Sequence, residues 1–373
     1  MPQHASHWIT PLLALAAVAP ARSQEPGDGP GKADLLDQLL EEFETGSDLE
    51  YGGRNAILSL HGFLQLEFRD ADGDVSSFDL HHANLLFDVA VNEHTDARLE
   101  FEWEHGAGKV EMDQVFLDYH PWDAAGPSFI LGRFYAPFGV ERHVWFPPVN
   151  LAVTRPLVMR EVVPGSWYES GAMVRYSAEA ASGIFLVETA LSNGLGPALT
   201  TSVRAARQEQ DSNQNKMLSG RLGWSHASGF GVGLSGAAGK HDPAGTQSYR
   251  FLGADASLDL EAVQLVGEWV QSEMDDPAAP GDSRGGTGWY LQAYAPLVDS
   301  QGGAELGAFV RADSVDPDRD IRDSADRDAV SIGLRWVPAA HLSFKLEYQA
   351  VSHDHPGPHA NGDTIWFEAV LDF

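Results

Sequence analysis

The stretch Arg98-Leu99-Glu100-Phe101-Glu102-Trp103-Glu104 sets a charge at every second residue and a large apolar side chain between each pair. Successive side chains of a β-strand point to opposite faces, so this strand has one face that seeks water and one that avoids it. The pattern spreads both ways. Leu58, Leu60, Leu64, Leu66 and Phe68 alternate with Ser59, His61, Gln65, Glu67 and Arg69, with Phe63 as the exception. Leu85, Phe87, Val89 and Val91 alternate with Asp88 and Asn92. Sixteen such segments are expected, near 56–69, 77–92, 95–105, 109–120, 128–135, 169–178, 182–192, 215–226, 229–240, 248–258, 260–272, 287–297, 304–314, 327–338, 341–353 and 362–373.

A soluble sandwich also alternates, so the connections decide between the two readings. Short ones (Asn92 to Thr95, Ala178 to Gly183, His226 to Gly229, Pro338 to His341) take turns with long ones. The long ones are Ala136 to Tyr168, Ser192 to Gln214, Ser272 to Gly286 and Ser314 to Asp326. Short periplasmic turns opposite long external loops mark a transmembrane β-barrel. In hydrocarbon every backbone N–H and C=O needs a partner, and only a closed sheet provides this for strands. The fold class expected is therefore all-β, an antiparallel transmembrane barrel of about sixteen strands. Tyr119, Trp122, Phe134, Tyr176, Trp224, Tyr290 and Trp336 sit at segment ends, where interfacial aromatic girdles are expected.

The two chain ends fit. Residues 1–21 read as a signal peptide, with an apolar run from Ile9 that ends in Ala19-Pro20-Ala21 and is too short for a membrane helix. Residues 22–54 read as a periplasmic linker with a short helix, because Leu35, Leu36, Leu39, Leu40 and Phe43 share a helical face. The barrel is expected over 55–373. Its last strand carries Ile365, Phe367, Ala369, Leu371 and Phe373 on one face. A terminal Phe on such a strand resembles the assembly signal of outer-membrane barrels, which makes Phe373, Leu371 and Phe367 the residues offered to the barrel assembly machinery.

Composition excludes several functions. With 54 acidic and 24 basic residues the net charge is −30, so the chain has no basic face for nucleic acid. Cysteine is absent, so no disulfide framework staples the fold. No nucleophile with a base and an orienting group can be picked out, and no phosphate-binding glycine loop stands in a strand–turn–helix context. An enzyme is not expected, although barrel hydrolases and adhesins are the rival classes.

The segment Leu131-Gly-Arg-Phe-Tyr-Ala-Pro-Phe-Gly-Val-Glu-Arg142 resembles the phosphate-selective porin O and P family. Phe78 to Asp88, Val110 to Tyr119 and Thr154 to Gly165 are similar to further segments of that family. The likeness covers roughly Asn55 to Gly194 and implies a homotrimer of sixteen-stranded porins in the bacterial outer membrane. It also implies that the third external loop, Ala136–Tyr168, folds inward as the constriction. Small hydrophilic solutes or ions would cross the water-filled lumen, with outer-membrane lipid and lipopolysaccharide outside. Anion-selective members line the pore with arginine and lysine, whereas this chain has few lysines and a large acidic excess, so unselective or weakly cation-preferring diffusion is expected.

Selectivity depends on charge where a pore is narrow. Glu141, Arg142, His143, Arg155, Arg160 and Glu161 are the candidates in the loop, facing Arg133 and Arg175. Arg98, Glu100, Glu102, Glu104 and Asp118 are candidates for the lumen wall. Gly132, Pro137 and Gly139 are expected to shape the chain as it turns inward. No cofactor or metal is expected. His81 and His82 are adjacent on a strand and so should face opposite sides. His353, His355 and His359, and the acidic stretch Asp313 to Asp328, read as solvated loops.

Overall fold

The structure, a computed structural model, describes residues 49–53, 56–106, 110–122, 126–141, 146–180, 182–260, 262–276, 282–299, 304–320, 326–353 and 362–373. The signal segment, the linker helix, Arg142, His143, His355, His359 and the side chain of His353 lie outside the described residues.

Sixteen long strands form one closed antiparallel sheet. They are β2 (Ala56–Ala71), β3 (Ser77–Asn92), β4 (Thr95–Glu104), β5 (Val110–Tyr119), β6 (Ser128–Tyr135), β7 (Tyr168–Ala180), β8 (Gly183–Ser192) and β9 (Met217–His226). The rest are β10 (Phe230–Lys240), β11 (Ser248–Leu260), β12 (Val263–Asp275), β14 (Thr287–Asp299), β15 (Glu305–Asp316), β16 (Arg327–Ala339), β17 (Leu342–His353) and β18 (Gly362–Asp372). Each long strand pairs with its neighbours in sequence, and β18 closes the ring on β2. The expected segments and the observed strands agree to within a few residues throughout.

Two short strands decorate the ring. β13 (Ser283–Arg284) pairs with the end of β12. β1 (Leu49–Gly53) pairs with Ala56–Leu60 of β2, so the expected linker ends in a strand. Its place has a physical reason: β18 reaches only Phe63–Ala71 of β2, and an unpaired sheet edge is otherwise exposed.

The faces sort as the period of two requires. Leu131, Leu191, Leu218, Leu222, Leu234, Leu291 and Ile332 are exposed on the outside, each at half or more of its full accessibility. Gln65, Glu188, Ser219, Glu268, Arg311, Ser331, Lys345 and Glu347 alternate with such residues and are buried inside. Tyr119, Trp122, Tyr176 and Trp336 are exposed, as girdle residues should be. Phe134 and Tyr290 are not. They are 2% and 3% exposed and pack inside, because they share strand parity with Ile130 and lie opposite Glu268 respectively. Phe63, the exception to alternation, also faces inward, where its ring meets Phe146 edge-on at 5.1 Å between centroids.

A second core therefore lies inside the barrel. Ala136, Phe138, Leu157, Val158, Met159, Val162, Val163 and Trp167 come from the connection between β6 and β7. They pack against Tyr249, Phe251, Val270, Met274, Tyr290 and Val315 of β11, β12, β14 and β15. Within this connection Val158–Glu161 forms a single helical turn, α1.

Candidate functional site

Gly132 lies within β6, and the β6–β7 connection turns at Gly139. Gly132 has φ +135°, and a Cβ there would run into the Val115 carbonyl. Gly139 has φ +69°, and its missing Cβ leaves room for the Glu268 carboxylate. The Gly139 N–H donates to Ser235 Oγ at 2.9 Å and the Glu141 N–H to Glu268 Oε2 at 3.3 Å.

Farther along, the chain is bound to the opposite wall. Val153 and Thr154 N–H groups donate to Glu347 Oε2 at 2.7 and 2.8 Å, and Thr154 Oγ1 donates to Glu347 Oε1 at 2.5 Å. The fully buried Arg311 donates to the Thr154 carbonyl at 2.6 Å, to Thr154 Oγ1 at 2.7 Å and to Asp313 Oδ2 at 2.8 Å. Asp313 in turn accepts from the Leu157 N–H at 2.9 Å. Lys345 Nζ bonds Asn150 and Glu368 and donates to the Pro147 carbonyl at 2.8 Å. A buried charge left unpaired is expensive, so these charges are matched to the loop and to one another.

These anchors were not among the candidate residues. Asp313, expected in a solvated acidic loop, is instead a buried member of β15. The readable signal was the run of polar residues at inward parity in β15 and β17. Missing from the sequence was the knowledge that the loop crosses to those strands.

The expected loop residues divide. Glu141 is buried against Arg155, whose Nε lies 2.9 Å away. Burial pushes the Glu141 carboxyl above its ordinary value, more than the Arg155 guanidinium pulls it down. Glu161 pairs with Arg327 of β16 at 2.9 Å, while Arg160 is exposed.

On the wall, Arg98 makes a bidentate pair with Asp88 at 2.7 and 2.8 Å. Arg175 lies 3.0 Å from Glu188 and 3.8 Å from Asp118. Glu100 accepts from Asn84 at 3.1 Å and Gln114 at 2.7 Å. The Arg133 guanidinium stands 5.6 Å over the Tyr168 ring, whose hydroxyl donates to Asp113 at 2.7 Å. Glu102 and Glu104 gather around His82.

His81 and His82 do not face opposite sides. Their rings meet edge-on, 4.2 Å apart. The cause is a β-bulge: Gln65 pairs with His82 but Leu66 pairs with Leu80, so one extra residue of β3 is accommodated and both imidazoles turn inward.

No family model matches the chain. An uncharacterised protein of Aquifex aeolicus is 29% identical over 125 residues, a match that spans 31% of this chain and 28% of that protein. Among solved structures, the outer membrane protein OmpT of Vibrio cholerae superposes with a TM-score of 0.60 at 10% identity, over 87% of this chain and 99% of that one. OmpF of Salmonella typhi, in complex with daunomycin, gives a TM-score of 0.60 at 12% identity, covering 87% and 100%. The outer membrane channel DcaP of Acinetobacter baumannii gives 0.59 at 9% identity, covering 87% and 99%. The fold is that of a sixteen-stranded outer-membrane barrel. With leucines and isoleucines over its outer face and every long strand paired on both edges, the protein belongs in the bacterial outer membrane.

Proposed function

We propose that the chain is a porin that lets small hydrophilic solutes or ions diffuse passively through its lumen. The observation that carries this reading is the division of the interior. The 136–167 connection is packed and bonded onto the wall from β10 to β17, and the wall from β3 to β5 keeps half-buried charges that include Arg98, Glu102 and Glu104.

In this reading the connection is the third external loop and narrows the pore. Glu141, Arg142, His143, Arg155, Arg160 and Glu161 form its charged side, Arg133 and Arg175 face it, and Arg98, Glu100, Glu102, Glu104 and Asp118 line the wall. Residues 1–21 are the exported chain's signal peptide, Phe373 with Leu371 and Phe367 engages the barrel assembly machinery, and the barrels associate as a homotrimer. The outer belt meets lipid and lipopolysaccharide. No catalytic role is assigned to any residue.

A second reading, an anion channel of the phosphate-selective porin O and P type, is favoured by the segment from Leu131 to Arg142 and by the exposed Arg160. Single-channel recording of refolded protein in planar bilayers, with a KCl gradient and added phosphate, separates the two. Stepwise ohmic conductance with a cation-leaning reversal potential is expected. Anion-leaning reversal with block by phosphate would favour the second reading, and folded barrels that carry no current would sink both.

A further inference from the structure

We propose that His82, Glu102 and Glu104 form a binding site for a first-row divalent transition cation, on the inner wall at the end of the barrel where the long connections lie. The site goes beyond the porin reading and does not depend on conduction.

The argument starts with Gln65. Its Nε2 donates to Glu67 Oε1 at 2.7 Å and to Glu368 Oε2 at 2.6 Å, which leaves its Oε1 as the atom that faces His82 Nδ1 at 2.6 Å. The opposite amide orientation would aim the Gln65 oxygen at two carboxylates. A neutral His82 therefore carries its proton on Nδ1 and presents the Nε2 lone pair. Nε2 lies 3.5 Å from Glu104 Oε1 and 3.7 Å from Glu102 Oε1. In that tautomer Nε2 and the two carboxylate oxygens converge, and a cation taking the place of a second imidazole proton is what such a cluster accepts.

The three ligand atoms lie within 4.8 Å of one another, close enough for small side-chain movements to bring them onto a small ion. Ligands about 2.0–2.2 Å from a tetrahedral metal stand roughly 3.3–3.6 Å from one another. One imidazole nitrogen with two carboxylate oxygens matches zinc, cobalt or nickel better than calcium or magnesium, which take oxygen-only shells. The bond from His82 to Gln65 is the kind of outer-shell contact that fixes a ligating ring. Burial is partial, with His82 and Glu102 each 16% and Glu104 31% exposed in their side chains, so an ion can enter from the lumen. Arg204, 3.5 Å from Glu104 and 64% exposed, is a competing cation that can swing into water.

A neighbouring trio is the competing position. Asp79 Oδ2 lies 3.1 Å from His81 Nδ1 and 2.6 Å from His105 Nδ1, and the bulge sets the His81 ring beside that of His82. Its atoms already satisfy one another, so it is the weaker position.

The test is a titration of the refolded full chain with Co²⁺, followed by visible absorption, and with Zn²⁺ in competition. One tight equivalent with ligand-field bands is expected, displaced by Zn²⁺ and not by excess Ca²⁺. His82→Ala and Glu104→Gln should each weaken uptake at least tenfold, and Gln65→Leu by less. Replacing His143, His353, His355 and His359 together by alanine should leave it unchanged. If His82→Ala fails to fold, Glu104→Gln and Glu102→Gln carry the test. Absence of the bands, or bands that survive both Glu substitutions, overturns the site. A barrel that conducts but takes up no Co²⁺ refutes this inference and leaves the porin reading intact; one that binds Co²⁺ without conducting does the reverse.

Discussion

Glu347→Gln should release the 136–167 connection without opening the barrel. The Thr154 hydroxyl accepts from Arg311 at 2.7 Å and from Gln349 at 3.1 Å, so its own proton is committed to Glu347 Oε1. The Val153 and Thr154 amides are committed to Oε2. An amide at 347 keeps one oxygen for those two donors and turns an NH₂ group against the hydroxyl. The retained bonds fall from charge-assisted to neutral, about 1 kcal/mol each, and the lost one costs about 1.5–3 kcal/mol. Arg311, which now sits 3.6 Å from Glu347 Oε1, keeps only Asp313 as a carboxylate partner. The total is about 3.5–5 kcal/mol, in line with breaking a buried charged contact. At 1.4 kcal/mol per decade, the undocked fraction rises between about three-hundredfold and four-thousandfold. Trypsin reads this out, since Arg142 and Arg160 lie in the segment (Arg155 precedes Pro156 and is resistant) and cleavage tracks the open population when reclosing is fast. Thr154→Val, which removes only the hydroxyl, should increase cleavage about five- to thirtyfold. Cleavage of Glu347→Gln within threefold of wild type, with the barrel still heat-modifiable on gels, would refute the anchoring argument. Loss of the barrel itself would refute the separation of loop from sheet.

Two further outcomes follow from burial and face. The Glu141 carboxyl is raised above its ordinary 4.5, so the folded protein holds this proton more tightly than the unfolded chain does. The stability it contributes is present below pH 4.5 and is lost as pH rises through the elevated value. Urea unfolding in vesicles should show wild type losing stability relative to Glu141→Gln from pH 4 to pH 8, and a relative gain would reverse the assigned cause. Leu222 is half exposed on the outer face of β9, so Leu222→Arg should cost about 2–4 kcal/mol in lipid if it lies near the bilayer midplane, while Leu222→Phe stays close to neutral. Equal, small effects from both would mean that this face does not meet hydrocarbon.

Most of the barrel was legible because a period of two leaves its mark within each strand. Leu64, Leu66 and Phe68 state their side without reference to any distant residue. Legibility failed where one residue breaks the count or where a partner is remote. The bulge at His81 shifts a whole histidine pair to the same face, and nothing in the run from Phe78 to Asp88 announces it. Phe134 and Tyr290 look like girdle aromatics by position along the strand, yet parity sends them inside. Arg311, Asp313, Lys345 and Glu347 looked like ordinary inward polar residues. Their partners, Thr154, Leu157, Pro147 and Asn150, lie more than 150 positions away in the chain, and only closure of the ring brings them together.

Closure also bears on which ions a lumen of this kind would favour. The basic side chains of the far wall are consumed in holding the loop or one another's partners. Arg311 serves Thr154 and Asp313, Lys345 serves Asn150 and Glu368, Arg221 is paired with Asp255, and Arg327 with Glu161. Charges matched at contact distance largely cancel a few ångströms away, so they contribute little field to a solute in transit. The near wall is different. Glu67, Asp79, Glu100, Glu102, Glu104 and Asp113 all lie on β2 to β5, where Arg98 is already matched to Asp88. Of these, Asp79, Glu102 and Glu104 are half-buried, and in the proposed porin their charge would concentrate cations and repel phosphate on the side of the lumen that the loop leaves uncovered. If that imbalance sets the preference, Glu102→Gln with Glu104→Gln should shift the reversal potential toward neutrality. Neutralising Arg160, which is exposed on the loop, should shift it further toward cations. Shifts of the opposite sign would mean that the loop arginines, rather than the wall carboxylates, set the field.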